Sequence, residues 1–407
     1  MTARERYERL VEDRAALVAR SGPIVAGFSA TTDALHRVTD TALERLVTAE
    51  HVGSAIFDAG LATLQSWLRE GRDGELFIDD ESAEPLLELL VGAPEKVQCG
   101  GTSIQACWSW SELGLSPLLA LTNRSERQLR ATAGGVRLMS AGEPVPVPQV
   151  EAVPGPMVPS NHVLELTLGT SGGGVTVTRS SRITVVLARK RLHLEDDFIA
   201  RSPELVGGGV GLVSGLNGLG QAREEAVPVV AELASRWQEA GARLVHLELA
   251  EYARPAELAR VMELMRGQVD SVGMNASELE RLVGSGEPAA VAADFAEAHR
   301  LLRVVVHADR WAMSVHRLDP AREELALAAG SLAAANRAAH GEPQGIWAIP
   351  REARFAVEIP PSVSPRHGYR ASVVATPYLD TPRSTIGLGD TFVSGDLLVQ
   401  AGSEDFN

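Results

Sequence analysis

Lysine is nearly absent from this chain of 407 residues, which carries Lys96, Lys190 and no others. Neither lysine follows the glycine that a Walker A loop needs, so that phosphate cradle is excluded. Cysteine is as scarce. Cys99 and Cys107 are too few for a disulfide framework and lack C-x-x-C spacing, which reads as two reduced thiols in a cytoplasmic protein. No apolar run is long enough to cross a bilayer. No H-E-x-x-H zinc motif occurs. The glycine-rich stretch 207–220 never spells G-x-G-x-x-G, which counts against an NAD-dependent oxidoreductase. Positive charge is also short. A net charge of −15, from 38 Lys and Arg against 53 Asp and Glu, argues against a nucleic-acid or anionic-membrane partner. Any phosphate must then be met locally, by backbone dipoles, a metal and a few arginines.

What remains is ordinary globular composition, 45% hydrophobic and 22% charged, in a chain long enough for one large domain plus a smaller one. Residues 1–20 alternate Arg and Glu with Tyr7, Leu10, Val11, Leu17 and Val18 at helical spacing, which reads as a surface helix rather than a signal peptide. Residues 24–28 form a short apolar run ending in small and polar residues. That is a buried strand whose carboxyl end opens onto a site. The Pro-rich stretch 143–159 reads as a loop or linker. From Val163 the period becomes two: 163–168, a Gly/Ser turn, 175–178 and 183–187 predict an antiparallel meander. Within it Gly169-Thr170-Ser171-Gly172-Gly173 matches G-x-S-x-G literally, but no helix follows, so it predicts a hairpin turn and not a nucleophile elbow. Beyond Val210 strands and helices alternate to the end, as in a doubly wound α/β sheet.

The most telling segment is Arg383-Ser384-Thr385-Ile386-Gly387-Leu388-Gly389-Asp390-Thr391-Phe392. Two glycines flank a leucine, and an acid opens an amphipathic run. This is a turn feeding a helix N-terminus, where the free N–H groups of residues 387–390 converge and the helix dipole adds positive potential. Such a nest suits a phosphate in transfer, and the adjacent carboxylate can take the proton of an attacking hydroxyl. An acid at that position also caps helices routinely.

Together with Val373-Val374-Ala375-Thr376-Pro377, this segment resembles the C-terminal signature of the ADP-dependent sugar kinases, the glucokinases and phosphofructokinases of the ribokinase-like superfamily. Further matches keep the family's order. Gly27-Phe28-Ser29-Ala30-Thr31-Thr32-Asp33-Ala34 resembles the sugar-binding strand end and Gly100-Gly101 the double-glycine hinge. His246-Leu247-Glu248 resembles the H-x-E motif and Asn275-Ala276-Ser277-Glu278 the N-x-x-E motif.

The resemblance implies an α/β fold: a ribokinase-like, doubly wound three-layer large domain (1–33, 100–160 and 200–407) with a small β-rich lid (34–99 and 161–199). It implies Asp390 as base, with Gly387, Leu388 and Gly389 holding the transferred group. Glu248, Glu278 and Asn275 would support Mg²⁺ through its waters, with ADP as donor, and Thr376 and His307 would lie at the nucleotide. Asp33, Ser29, Gly101 and Thr102 would meet the acceptor. A carboxylate such as Asp33 suits vicinal hydroxyls because it offers several acceptor sites, although a turn also explains an Asp there. An N-cap likewise explains Asn275, and strand-end packing explains His246.

Three positions depart from the family pattern. Ser29 stands where Asn is usual, Thr102 where Asn or Gln is usual, and Ala308 follows His307 where Thr is usual. Shorter side chains at 29 and 102 leave room for a different acceptor. For a phosphorylated acceptor the candidates are Arg182, Arg189 and Arg191, since arginine meets phosphate bidentately. The expectation is an ADP-dependent kinase acting on a sugar or sugar phosphate, monomer or dimer left open. The alternatives are an ATP-using kinase acting on a nucleoside or other non-hexose acceptor, and a non-catalytic sugar or nucleotide sensor.

Overall fold

A computed structural model describes residues 2–154, 158–187, 191–356 and 366–403. Arg189 lies outside the described residues. Ten strands form the large sheet, in the spatial order 370–375, 311–316, 303–307, 271–275, 244–248, 210–213, 24–27, 118–119, 137–140 and 143–146. Seven neighbours in the middle, from Arg303–His307 to Arg137–Ser140, run parallel, and antiparallel strands close both ends.

Parallel strands are covered on both faces, so their residues are apolar throughout and alternate sides. Val25 packs on one face with Val213, Val245 and Val272, beneath helices Arg223–Glu239, Pro255–Leu264 and Pro288–His299. Ile24 and Ala26 pack on the other with Val210 and Leu212, beneath Ala3–Arg20, Thr102–Glu112, Pro320–His340 and Leu388–Ala401. The result is the expected three-layer α/β arrangement. The first helix starts from a capping box between Thr2 and Glu5 and buries Tyr7, Leu10 and Leu17.

Five further strands form a second, mixed sheet in the order 74–77, 181–186, 161–166, 31–37 and 96–100. One face of it, with Leu164, Leu166, Ile183 and Val185, packs on helices Asp40–Thr48, Ala55–Glu70 and Glu84–Val91. The alternate residues turn toward the large sheet.

Three local expectations change. The meander is interrupted: Asn161–Leu166 pairs directly with Ser181–Val186, while Ser171–Gly172 and Val175–Thr176 form their own hairpin around Gly173 and Gly174, both at positive φ. The chain leaves and re-enters the sheet here because a turn at 167–170 takes the middle run away. Part of the Pro-rich segment is a strand, Glu143–Pro146, paired with Arg137–Ser140. It is an outermost strand, where proline removes no needed ladder bond. Residues 31–33 begin the second sheet's strand Thr31–Arg37 rather than ending the first strand. At the other crossing, Leu192, Leu194 and Phe198 pack in the large core. Among the described residues, no helix is long and apolar enough to cross a membrane.

Candidate active site

The C-terminal helix Leu388–Ala401 is almost wholly buried and is fixed from two directions. Gly330 and Gly395 let it lie against Pro320–His340 backbone to backbone: a Cβ at 395 would press on the Ala329 carbonyl, and one at 330 on Phe392. From the sheet side, Arg303 donates from Nη1 to Asp396 at 2.8 Å and from Nε to Glu323 at 2.6 Å, all three fully or nearly fully buried. Breaking such a buried pair by removing one partner costs about 3–5 kcal/mol, so the helix is held firmly.

Its N-terminus therefore has a set position. Gly387 is the N-cap, at φ 66°, a conformation that glycine adopts without strain. The Thr391 N–H bonds the Gly387 carbonyl at 3.0 Å, which leaves the N–H groups before it turned outward. Leu388, Gly389 and Asp390 form the first turn. Asp390 is half-buried on the wall of a cleft of about 1670 Å³, and among the described residues no hydrogen bond holds its carboxylate. Gly389 faces His307, whose ring carbon would lie 3.1 Å from a Cβ there.

The carboxyl ends of three adjacent parallel strands supply the next group. Glu248 ends Leu244–Glu248, Asn275 ends Ser271–Asn275 and His307 ends Arg303–His307. His246 Nε2 donates to Glu248 Oε2 at 2.9 Å, and the His246 Nδ1 accepts from Ser271 Oγ at 2.8 Å. His307 donates to Glu248 Oε1 at 3.3 Å and packs on Phe392, ring centroids 5.0 Å apart. His246 is thus a packed partner of Glu248.

Asn275 and Glu278 meet through a capping box. Each backbone N–H is bonded by the other's side chain, at 2.9 and 2.8 Å, because Asn275 is the N-cap of a short helical turn. Burial pushes the Glu278 carboxyl up to about 7, against its bond from the Asn275 N–H, and the charge of Glu248 adds to the rise. Among the described residues, no three His, Cys, Asp or Glu converge as a direct metal cage.

Across the cleft, Asp33 stands on the second sheet. Asn161 donates to its Oδ1 at 3.1 Å and to Thr31 Oγ1 at 3.0 Å. Gly100 lies flat against this carboxylate, with no space for a Cβ. Burial pushes Asp33 up to about 7; the Asn161 hydrogen bond opposes the shift and the Asp390 charge adds to it. Gly101, at φ 89°, caps helix Thr102–Glu112 and packs on the Ser29 backbone, and Thr102 opens that helix at the cleft.

The Ser29 hydroxyl turns away from a free role. It pairs with Ser214 Oγ at 2.7 Å, and Ser214 pairs with Ser103 Oγ at 2.6 Å. Thr376 likewise spends its proton on the Asp309 carbonyl at 2.6 Å, bracing the loop after His307. Arg182 donates to the Thr385 carbonyl at 2.8 Å, tying the second sheet to the loop before Gly387, and Arg191 lines the cleft.

Asp390, Glu248, Glu278, His307 and Asp33 therefore face one cleft. Asn161, which holds Asp33, carries no sequence motif.

The residues 147–399 match the family model described as the ADP-specific phosphofructokinase/glucokinase conserved region. Among solved structures, a phosphofructokinase from Pyrococcus horikoshii OT3 with AMP is 17% identical, with a TM-score of 0.71 over 94% of this chain and 98% of that one. The last common ancestor of ADP-dependent phosphofructokinases from Methanosarcinales is 16% identical, with a TM-score of 0.73 over 98% and 99%. An ADP-dependent kinase in complex with fructose-6-phosphate and ADPbetaS is 16% identical, with a TM-score of 0.80 over 98% of each chain. No curated protein sequence matches. With well over half of its length in the family model, and these structures sharing its fold, the chain belongs to the ADP-specific phosphofructokinase/glucokinase family of ribokinase-like sugar kinases, which transfer a phosphoryl group from ADP to a sugar.

Proposed function

We propose that this chain is a Mg²⁺-dependent kinase that moves the β-phosphoryl group of ADP onto a hydroxyl of a sugar or sugar phosphate, with Asp390 as the base. The observation that carries this reading is the single cleft onto which Asp390, the Glu248–Glu278–His307 group and Asp33 all open.

The acceptor is held by Asp33, which Asn161 and Thr31 orient. Asp390 takes the proton of the attacking hydroxyl. Oxygen–phosphorus bonding forms on the acceptor side as the bond to AMP breaks, and the N–H groups of 387–390 hold the charge spread over the group in transit. We assign the second sheet and its helices as the lid that keeps water out of this step.

Glu248 and Glu278 fit a divalent cation held mainly by phosphates and water: both are buried carboxylates whose charged forms burial disfavours, and the charge of Glu248 adds to the effect at Glu278. When bound, Mg²⁺ offsets the negative charge between the phosphates. His246 and His307 orient Glu248 for that role, and the Asn275 N–H orients Glu278.

The test is AMP release from Mg·ADP, and ADP release from Mg·ATP, across hexoses, hexose phosphates, pentoses and nucleosides. Asp390→Asn is expected to lose about 10²- to 10⁴-fold in rate while nucleotide and acceptor still bind. Turnover with ATP alone would replace the donor. Nucleotide binding with no acceptor-dependent product would leave a sensor in place of an enzyme.

A further inference from the structure

Arg337, on helix Pro320–His340, is fully buried, and none of the roles above uses it. Its guanidinium lies directly behind the phosphoryl-transfer turn: a Cβ at Gly387 would run into the Arg337 Cζ and both terminal nitrogens. Nη1 donates to Thr391 Oγ1 at 3.0 Å. Among the described residues, Nε and Nη2 have no hydrogen-bond partner and no carboxylate forms an ion pair with this arginine. Trp108 covers it, with the ring centroid 5.5 Å from Cζ. Burial disfavours its cationic form; Asp390 and Asp33 favour that form through space, and Arg182 opposes it.

A guanidinium does not shed its charge by losing a proton. Burying one without a carboxylate partner costs stability, and an apolar side chain of similar volume costs less at such a position. Buried small neighbours, Ala329 and Ala333 on the same stripe of the helix, show that an apolar residue suits the surroundings. The cost has a counterpart on the other face of the turn. There, on the reading proposed above, the N–H groups of 387–390 meet the transferred group, and the helix dipole contributes roughly half an elementary charge. A full positive charge one layer behind, in a poorly screened interior, adds to that potential at the same spot.

We propose that Arg337 is a positioning residue for phosphoryl transfer: from behind Gly387 it fixes the first helical turn through Thr391 and strengthens the field on the transferred group without touching it. The inference rests on the reading of residues 387–390 as the turn that holds that group.

The experiment compares wild type, Arg337→Met and Arg337→Lys as full chains, by AMP release from Mg·ADP at saturating acceptor and by thermal melting. Direct removal of one oxyanion donor costs about 10²–10³ in rate, so a charge one layer back is expected to cost about 10- to 100-fold in kcat. KM for both substrates should stay within about threefold, since the field acts on the transition state. The Met variant should melt no lower than wild type, and Lys should recover part of the lost kcat, as a retained charge would.

A Met variant with unchanged kcat overturns the proposal. So does one that melts lower and loses activity only in proportion to the unfolded fraction, and so does Lys behaving like Met. A wild type that forms no acceptor-dependent AMP fails the reading of the site itself and removes the basis for this one, whereas an active wild type beside an equally active Met variant fails this proposal alone.

Discussion

Gly273 lies against Glu248 so closely that a side chain has no place: a Cβ there would overlap the carboxylate Oε2 and press on the His246 ring at 2.8 Å. The two residues are register partners on adjacent parallel strands, so neither can withdraw.

Gly273→Ala is therefore expected to push Glu248 off its histidine and to destabilise the protein by about 1–3 kcal/mol through overpacking. A carboxylate turned away from its orienting partners should also raise the Mg²⁺ concentration needed for half-maximal rate. Melting curves and a Mg²⁺ titration of activity check both. An unchanged melting temperature with an unchanged Mg²⁺ midpoint would show that the close approach carries no such role.

Asp33 makes stability depend on pH in a direction that can be worked out. Its carboxyl titrates near 3.8 when exposed and about 7 in the folded protein. Between those values the folded state keeps a proton that the unfolded state has lost, so this residue's contribution falls as pH rises. It is fully present below about 4 and gone above about 7. Asp33→Asn, which mimics the protonated form, removes the dependence. The melting temperature of the Asn variant minus that of wild type should grow from pH 4 to pH 7. A flat difference would mean that Asp33 titrates as an ordinary exposed acid.

Much of this site could be read without coordinates because parallel strands place their carboxyl ends on one edge. Once residues 244–249 read as a strand, Glu248 had to reach that edge, and a Gly-x-Gly-Asp before an amphipathic run had to begin a helix. Where two physical causes shared one pattern, the residues alone did not decide. Asn275 and Glu278 stand three apart both in a capping box and on a shared helix face, and the structure shows the box. The strand at 31–37 continues the run that starts at 24, so its transfer to the second sheet depends on pairing with distant residues 96–100 and 161–165. Arg337 left one faint signal. It continues the i, i+4, i+8 stripe of Ala329 and Ala333, where a cation is out of place, but arginines that reach out along their stems occupy such stripes too.

Asn161 holds Asp33 by the hydrogen bond at 3.1 Å and spans to Thr31. Above about pH 7, where Asp33 is ionised, a bond to it is worth about 1.5–3 kcal/mol. Asn161→Ala should therefore weaken acceptor binding by about 10- to 100-fold while the affinity for ADP stays as it was. Isothermal titration with each ligand separates the two. An equal loss for both would point to a general disturbance of the second sheet instead.

Arg182 was expected at a phosphorylated acceptor, yet its guanidinium donates to the Thr385 carbonyl across the gap between the two sheets. Both ends are solvated, so the stability at stake is small; what the bond sets is the approach of the second sheet to the turn at 387–390. Arg182→Ala should then reduce kcat/KM for phosphorylated and unphosphorylated acceptors alike, by about fivefold, the equivalent of one hydrogen bond of about 1 kcal/mol. The melting temperature should hardly move. A phosphate-binding role makes the opposite prediction, because a residue that leaves Thr385 to meet a phosphate matters only when that phosphate is present. A loss confined to sugar phosphates would therefore assign Arg182 to the acceptor. An equal loss for both kinds of sugar assigns it to the closure of the cleft.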